Sequence, residues 1–183
     1  MELETARDSY CAAIQGNRIH GYIQQLGFYP FNVVFYTEEQ LSTYIAACKA
    51  TDSTTLHADT TGAVVSCVPG QHKCYYYCFL LASKNLPVME AITTWHTTQW
   101  LLSLLLLGFN SSMRILNNGK LLTPCHVVTD FSYALMYVCI AAFNGGMRLS
   151  AYLGLTFRII NSQATLSQIM STILFCHCAS HTC

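Results

Sequence analysis

Two aspartates stand where apolar strands should be entering a core. The first is Asp59, in LHADTTGAVV over residues 56–65. The second is Asp130, in HVVTDFSYAL over residues 126–135. Each follows a short run of strand-forming residues. Two carboxylates brought face to face repel, and one takes up a proton unless a cation lies between them. Hard oxygen ligands of this kind suit Mg²⁺ or Mn²⁺. A pair of such ions, about 3.5–4 Å apart, can activate a nucleophile and stabilise a leaving oxygen in phosphodiester chemistry. Each aspartate also has an ordinary alternative. Asp59 precedes Gly62 by three residues and could make a turn. Asp130 could cap a helix beginning at Phe131, a role Ser132 could share.

The elements that must position them are read in order along the chain. Residues 1–25 are expected to be helical, with a break at Gly16-Asn17. FNVVFYT, after Pro30, reads as a strand. Thr37 and Gln40 form a capping box ahead of TEEQLSTYIAAC, whose apolar residues recur at helical spacing. TTLHADT is expected to be a first core strand, AVVSCV a second and KCYYYCFLLAS a third, with Pro69-Gly70-Gln71-His72 as a hairpin turn. Pro87 is expected to open a helix of about 20 residues, VMEAITTWHTTQWLLSLLLLGF, by its position at a helix start. CHVVTD reads as a fourth strand and SYALMYVCIAAFN as a helix stopped by Asn144-Gly145-Gly146. A last helix is expected over 147–161.

The fold class is therefore α/β, with the order β-β-β-α-β-α. In the usual layout the fourth strand lies beside the first and parallel to it, on the side away from the second. Asp59 and Asp130 would then be neighbours at adjacent C-terminal strand ends, where α/β sheets place ligands.

Composition narrows the function classes. Hydrophobic residues make up 52% of the 183 residues and charged residues 10%. Soluble domains average roughly 25% charged, so either much of this surface is covered by further protein or the chain is a fragment. Net charge is zero, with nine scattered Lys and Arg. That argues against strong non-specific DNA binding by the chain alone. The run WLLSLLLLGF is about half the roughly 20 residues of a membrane span and reads as a buried helix. No signal-peptide pattern opens the chain. Six of the ten cysteines (Cys11, Cys48, Cys67, Cys74, Cys78, Cys139) lie in apolar or periodic stretches and read as buried, reduced thiols of an intracellular protein.

The segments YTEEQLSTY, LHADTTGAVV, YYYCFLL, LPVMEAITTWHTTQWLLSLL and PCHVVTDFSYALMYVCIAAFN, in this order, resemble transposases of the DDE type. They look closest to the MULE-like (Mutator-like) group. Such proteins pair a D-x-T-G first strand with a V-x-D-x-S fourth strand. The resemblance covers about two thirds of the chain, from Pro30 to Asn144. It implies an RNase H-like core incomplete at its C-terminus, spanning 51–161. A helical region with one short strand precedes it over 1–50, and an unmatched tail that could be disordered follows over 162–183. The implied parent activity is Mg²⁺- or Mn²⁺-dependent DNA strand cleavage and transfer at transposon ends, in the nucleus. Asp59 and Asp130 would be the first two metal-binding catalytic carboxylates. The third, a glutamate on a helix after the fifth strand, has no counterpart, because no Asp or Glu follows Asp130. The expectation is a truncated or decayed copy, inactive as this chain, with weak or no DNA binding alone, no membrane partner, and oligomerisation an open option. The alternative is a non-catalytic interaction module or a non-functional fragment.

Other constellations carry less. CHCASHTC places Cys176, His177, Cys178, His181 and Cys183 within eight residues, too close to leave a loop around a zinc ion. Glu90 and His96 are expected on one helix but on different faces, with His96 a polar position near the site or simply exposed. His57 is expected to point away from Ala58, as a packed or surface residue. Cys125 and His126 are adjacent, so on a strand they point to opposite faces and do not form a dyad. Trp95, Trp100 and Tyr75–Tyr77 could stack on bases but read as core.

Overall fold

The computed structural model describes residues 22–50, 53–62, 70, 72–129 and 132–177, with the backbone alone for 174–177. A hairpin opens it: β1 (Ile23–Phe28) and β2 (Phe31–Phe35). Helix α1 (Glu38–Ala50) follows, then β3 (Thr55–Gly62), β4 (Tyr75–Leu81) and β5 (Leu86–Thr93). A long helical arm comes next, made of α2 (Thr98–Ser103), a π-helical segment (Leu104–Phe109) and α3 (Asn110–Leu116). The remaining elements are β6 (His126–Thr129), α4 (Tyr133–Phe143), α5 (Leu149–Ile160), α6 (Leu166–Met170) and β7 (Leu174–His177).

All seven strands form one sheet in the order β1-β2-β5-β4-β3-β6-β7. Pairing is antiparallel from β1 through β3, then parallel for β3 with β6 and for β6 with β7. Together with the helices this makes a mixed α/β protein.

Local chemistry accounts for much of it. The capping box at α1 forms as expected: the Gln40 amide donates to Thr37 Oγ1 at 3.2 Å, and the Thr37 amide donates to Gln40 Oε1 at 2.7 Å. TTLHADT is a strand, and Ser132 caps α4 by accepting from the Leu135 amide. Strand alternation then divides the sheet into two faces. Leu56, Ala58, Tyr77, Phe79, Leu81, Met89, Ala91, Val34 and Val127 form one core with Leu41 and Tyr44 of α1, Leu101 of α2, Phe109, Met113 of α3, and Leu135 and Val138 of α4. The run WLLSLLLLGF is helical and half sunk in this core: Leu101, Leu104, Leu105 and Phe109 are buried, whereas Leu107 is exposed. No described helix is long and apolar enough to cross a membrane.

Several expectations are corrected. Ile23–Gln25 belong to a strand rather than a helix; the rest of the expected N-terminal helix, like the strand AVVSCV, lies outside the described residues. LPVMEAIT is not the start of a helix but strand β5, hydrogen-bonded on both edges. Its β-branched Val88, Ile92 and Thr93 suit a pleated surface, and Pro87 sits where the β4–β5 register shifts, a place where a sheet tolerates proline. The helix expected from Pro87 begins only at Thr98, capped by the Thr97 side chain. The segment 162–177 is ordered into α6, with its own Thr165–Gln168 capping box, and the backbone of β7. A strand beyond β6 is thus present rather than missing.

Candidate functional site

Asp59 sits near the C-terminal end of β3. Its parallel neighbour pairs Thr55 with His126, Leu56 with Val127, His57 with Val128 and Ala58 with Thr129. The described part of β6 ends there, one position short of Asp59. Asp130 is the next residue in the chain and lies outside the described residues. The parallel adjacency of β3 and β6 is as expected; across β3 from it lies β4, read above as the third core strand, while the expected second, AVVSCV, is outside the described residues.

The face on which Asp59 lies is the one turned away from the core. Ala58 and Leu56 are buried, whereas Asp59 is exposed and His57 half-buried. His57 thus shares the Asp59 face, as its alternation with Ala58 predicts. Asp59 Oδ1 accepts from the Thr60 amide at 2.8 Å, which aims the carboxylate along the strand end.

A polar row crosses the sheet from this point. Asp59 is opposite Cys78 on β4, and Cys78 is opposite Glu90 on β5. Glu90 was expected on a helix; as a strand residue it shares the Asp59 face. Its carboxylate accepts hydrogen bonds from the hydroxyls of Tyr76 and Tyr22, the latter at 3.3 Å. Burial raises the Tyr76 hydroxyl above its ordinary range, and the bond to Glu90 adds to the rise. Burial likewise raises the Cys78 thiol; the bond with Tyr76 opposes this, while the Glu90 and Asp59 carboxylates reinforce it.

His96 is not on a helix. It lies in the loop between β5 and α2, where its ring stacks on Tyr75 with centroids 4.5 Å apart and its Nδ1 shares a hydrogen bond with the Tyr77 hydroxyl. Tyr77 is fully buried and also packs on Trp100, so these two are core as expected. Tyr75 packs against the core from its edge, whereas Tyr76 is half-buried on the Asp59 face and Trp95 is 48% exposed, so these last two are not core.

The donor set can be weighed for a divalent cation. Asp59 offers an exposed hard-oxygen ligand, which suits Mg²⁺ or Mn²⁺ as part of a shell completed by other groups and water. Among the described residues no three His, Cys, Asp or Glu side chains come together to hold a metal. The cysteine- and histidine-rich end, 178–183, lies outside the described residues. Of the six cysteines read as buried, Cys139 is buried and Cys48, Cys74 and Cys78 are half-buried; none of these is in a disulfide, and Cys11 and Cys67 are outside the described residues.

Comparison with protein-family models, with curated proteins and with solved structures returned no match.

Proposed function

We propose that the chain is a transposase-derived RNase H-like core, in which Asp59 and Asp130 form a metal-binding carboxylate pair inherited from a DNA strand-transfer enzyme. The observation that carries the reading is the order β5-β4-β3-β6-β7. Three antiparallel strands are followed by two parallel ones, with helices between, and the exposed carboxylate lies where the two halves meet. That meeting point is the switch position at which α/β sheets bind ligands. The first aspartate is on β3 and the second follows β6, as the resemblance to MULE-like transposases requires.

A bound Mg²⁺ would supply charge stabilisation for an attacked phosphodiester. Asp59 would hold it through the oxygen left free by the Thr60 amide. With no acidic residue after Asp130 among these 183 residues, the third carboxylate is absent from this chain, and the chain by itself is inactive in strand transfer. Nuclear localisation and DNA as partner belong to the same proposal.

Titration with Mn²⁺, followed by the loss of its free EPR signal, tests the pair. Wild-type protein is expected to bind, and Asp59→Ala and Asp130→Ala each to weaken binding at least tenfold. Equal affinity in wild type and both variants overturns the assignment.

A second reading has its own observation. Leu153, Phe157 and Ile160, spaced along one side of α5, are 55%, 64% and 81% exposed. Such a stripe suits a protein contact, so a non-catalytic interaction module is the alternative. A concentration-dependent dimer abolished by Phe157→Glu, in protein that binds no Mn²⁺, would favour it.

A further inference from the structure

The end of the sheet away from Asp59 holds two thiols that the proposed function does not use. Cys48 lies in the last turn of α1, and Cys125 immediately precedes β6. Both are half-buried, and neither is in a disulfide. Cys74 and Cys78 stand four residues apart along the line of β4, roughly 13 Å, too far to bond to one another. Cys139 is fully buried in α4.

Thr54 draws Cys48 and Cys125 toward one place. It is 3% exposed and stands just before β3, two residues from the core residue Leu56. Its hydroxyl donates to the Ala47 carbonyl at 3.1 Å, which ties it to the end of α1 beside Cys48. Its own carbonyl accepts from the Cys125 amide at 2.9 Å and from the His126 amide at 3.1 Å. One residue thus bridges the end of α1 and the root of β6. Strand alternation sets the direction. His126 pairs with Thr55 on the open face, so Cys125 turns to the core side, where α1 lies. Cys48 follows Tyr44 by one helical turn, on the side of α1 that packs against the core.

Electrostatics report the same convergence. Tyr44 is fully buried, and its hydroxyl has no oxygen or nitrogen partner. Burial pushes that hydroxyl well above its ordinary range, and the Cys48 thiol and then Cys125 add to the rise. Burial also raises the Cys48 thiol; hydrogen bonds with Tyr44 and Thr54 oppose this, and Cys125 adds to it. Both thiols thus act on one buried hydroxyl, and one acts on the other. A disulfide at this corner places no charge in the core and needs no polar partner.

We propose that Cys48 and Cys125 are a redox pair, which a small-molecule disulfide closes into a covalent tie between α1 and β6. The step balances by exchange. The thiolate of one cysteine attacks the S–S bond of the oxidant, forming a mixed disulfide and releasing one small thiolate. The second cysteine attacks the protein sulfur of that mixed disulfide and releases the other. Two protein thiols lose two electrons and two protons, and one oxidant molecule takes them up as two thiols. The bonded residues are 77 apart in the chain, and the loop between them holds β3, β4, β5 and the helical arm. Closing a loop of that size in the unfolded chain stabilises the folded one. The tie fixes the root of β6, whose other end leads to Asp130, yet the proposal does not depend on the strand-transfer reading.

The test equilibrates the full chain with reduced and oxidised glutathione at stepped ratios. Samples are quenched by acid, alkylated and digested without reduction. Mass spectrometry is expected to find the Cys48 peptide joined to the Cys125 peptide, as the first protein disulfide to form. The oxidised protein should melt roughly 5–15 °C above the reduced protein, the size expected of one disulfide in a chain of this length. Cys48→Ser and Cys125→Ser should each abolish the joined peptide and the redox-dependent rise. A disulfide forms only where the two Cα atoms come within roughly 7 Å, so the mapping on wild-type protein decides even if a variant fails to fold. Glutathione adducts on both cysteines with no cross-link overturn the proposal. So does a preferred link from either one to another cysteine, or equal melting of the oxidised and reduced forms.

Discussion

The two faces of one sheet differ in almost every property, although they are built from alternate residues of the same strands. On the core face, Leu56 and Ala58 meet Leu81 and Phe79, all within 1% of full burial. One residue away, His57 and Asp59 meet Leu80 and Cys78, half-buried or exposed. The first face is dry, apolar and packed under α1 to α4. The second carries Asp59, Cys78, Glu90 and Tyr76. The difference teaches where chemistry can be sought in a chain so rich in apolar residues. A strand period of two lets one face satisfy folding while the other stays available for ligands.

The largest expected effect breaks the core face. Phe79→Ala should cost about 3–5 kcal/mol, because a fully buried ring leaves a cavity. That is a large share of the 5–15 kcal/mol that holds a typical domain, and urea denaturation would read it. Asp59→Ala, one strand across and on the open face, should shift the same midpoint by no more than about 0.5 kcal/mol. A comparable loss at both positions would mean that the open face is structural after all.

Capping comes next. Thr37→Ala removes one half of a reciprocal cap and should cost about 1 kcal/mol, seen in the same denaturation series and in helical circular dichroism. Alkaline pH offers a third contrast. Burial raises the Cys139 thiol and the Tyr44 and Tyr36 hydroxyls on the core side. It also raises Cys78 and Tyr76 on the open side. Each group keeps its proton longer in the folded protein than in the unfolded chain. Stability is therefore full below pH about 8.5, the ordinary thiol range. It falls as pH rises further, because the unfolded chain then binds fewer protons. Thermal unfolding at pH 7.5 and pH 10.5 checks the sign. The smallest effect is chemical: alkylation at neutral pH, mapped by mass spectrometry, should modify half-buried Cys74 and Cys78 before Cys139. Early labelling of Cys139 would erase the distinction between the faces.

Legibility in the sequence followed the locality of the signal. The capping box in TEEQLSTY, the strand pattern in TTLHADT and the apolar run HVVT are short-range patterns, and each is found as read. LPVMEAIT was not legible, because Met89, Glu90 and Ala91 favour helix and Pro87 looks like a helix start. Two flanking strands, distant in sequence, override that preference. β1 and β7 are sheet members for the same reason: IQQLGF and LFCH have weak patterns of their own and gain order from β2 and β6. Asp59 stood out as a charge inside a strand. Glu90 was noticed but assigned to the wrong element, which hid its place in the polar row. The grouping of the exposed rings of Phe28, Tyr29, Phe31 and Trp95 could not be seen at all, since they come from a hairpin tip and a loop more than sixty residues apart.

The pairing of β3 with β6 has a consequence for synthesis. Thr55 meets His126, 71 residues further along. At roughly 5–20 residues per second, β3 leaves the ribosome about 4–14 s before its partner is made. During that interval it is bound to β4 on one side only, with an open edge on the other, the condition under which strands recruit foreign ones. Asp59, placed near the end of that edge, keeps a charge on an otherwise adhesive strand while it waits. By that argument Asp59→Ala is expected to lower the yield of soluble protein before it changes the stability of the finished fold.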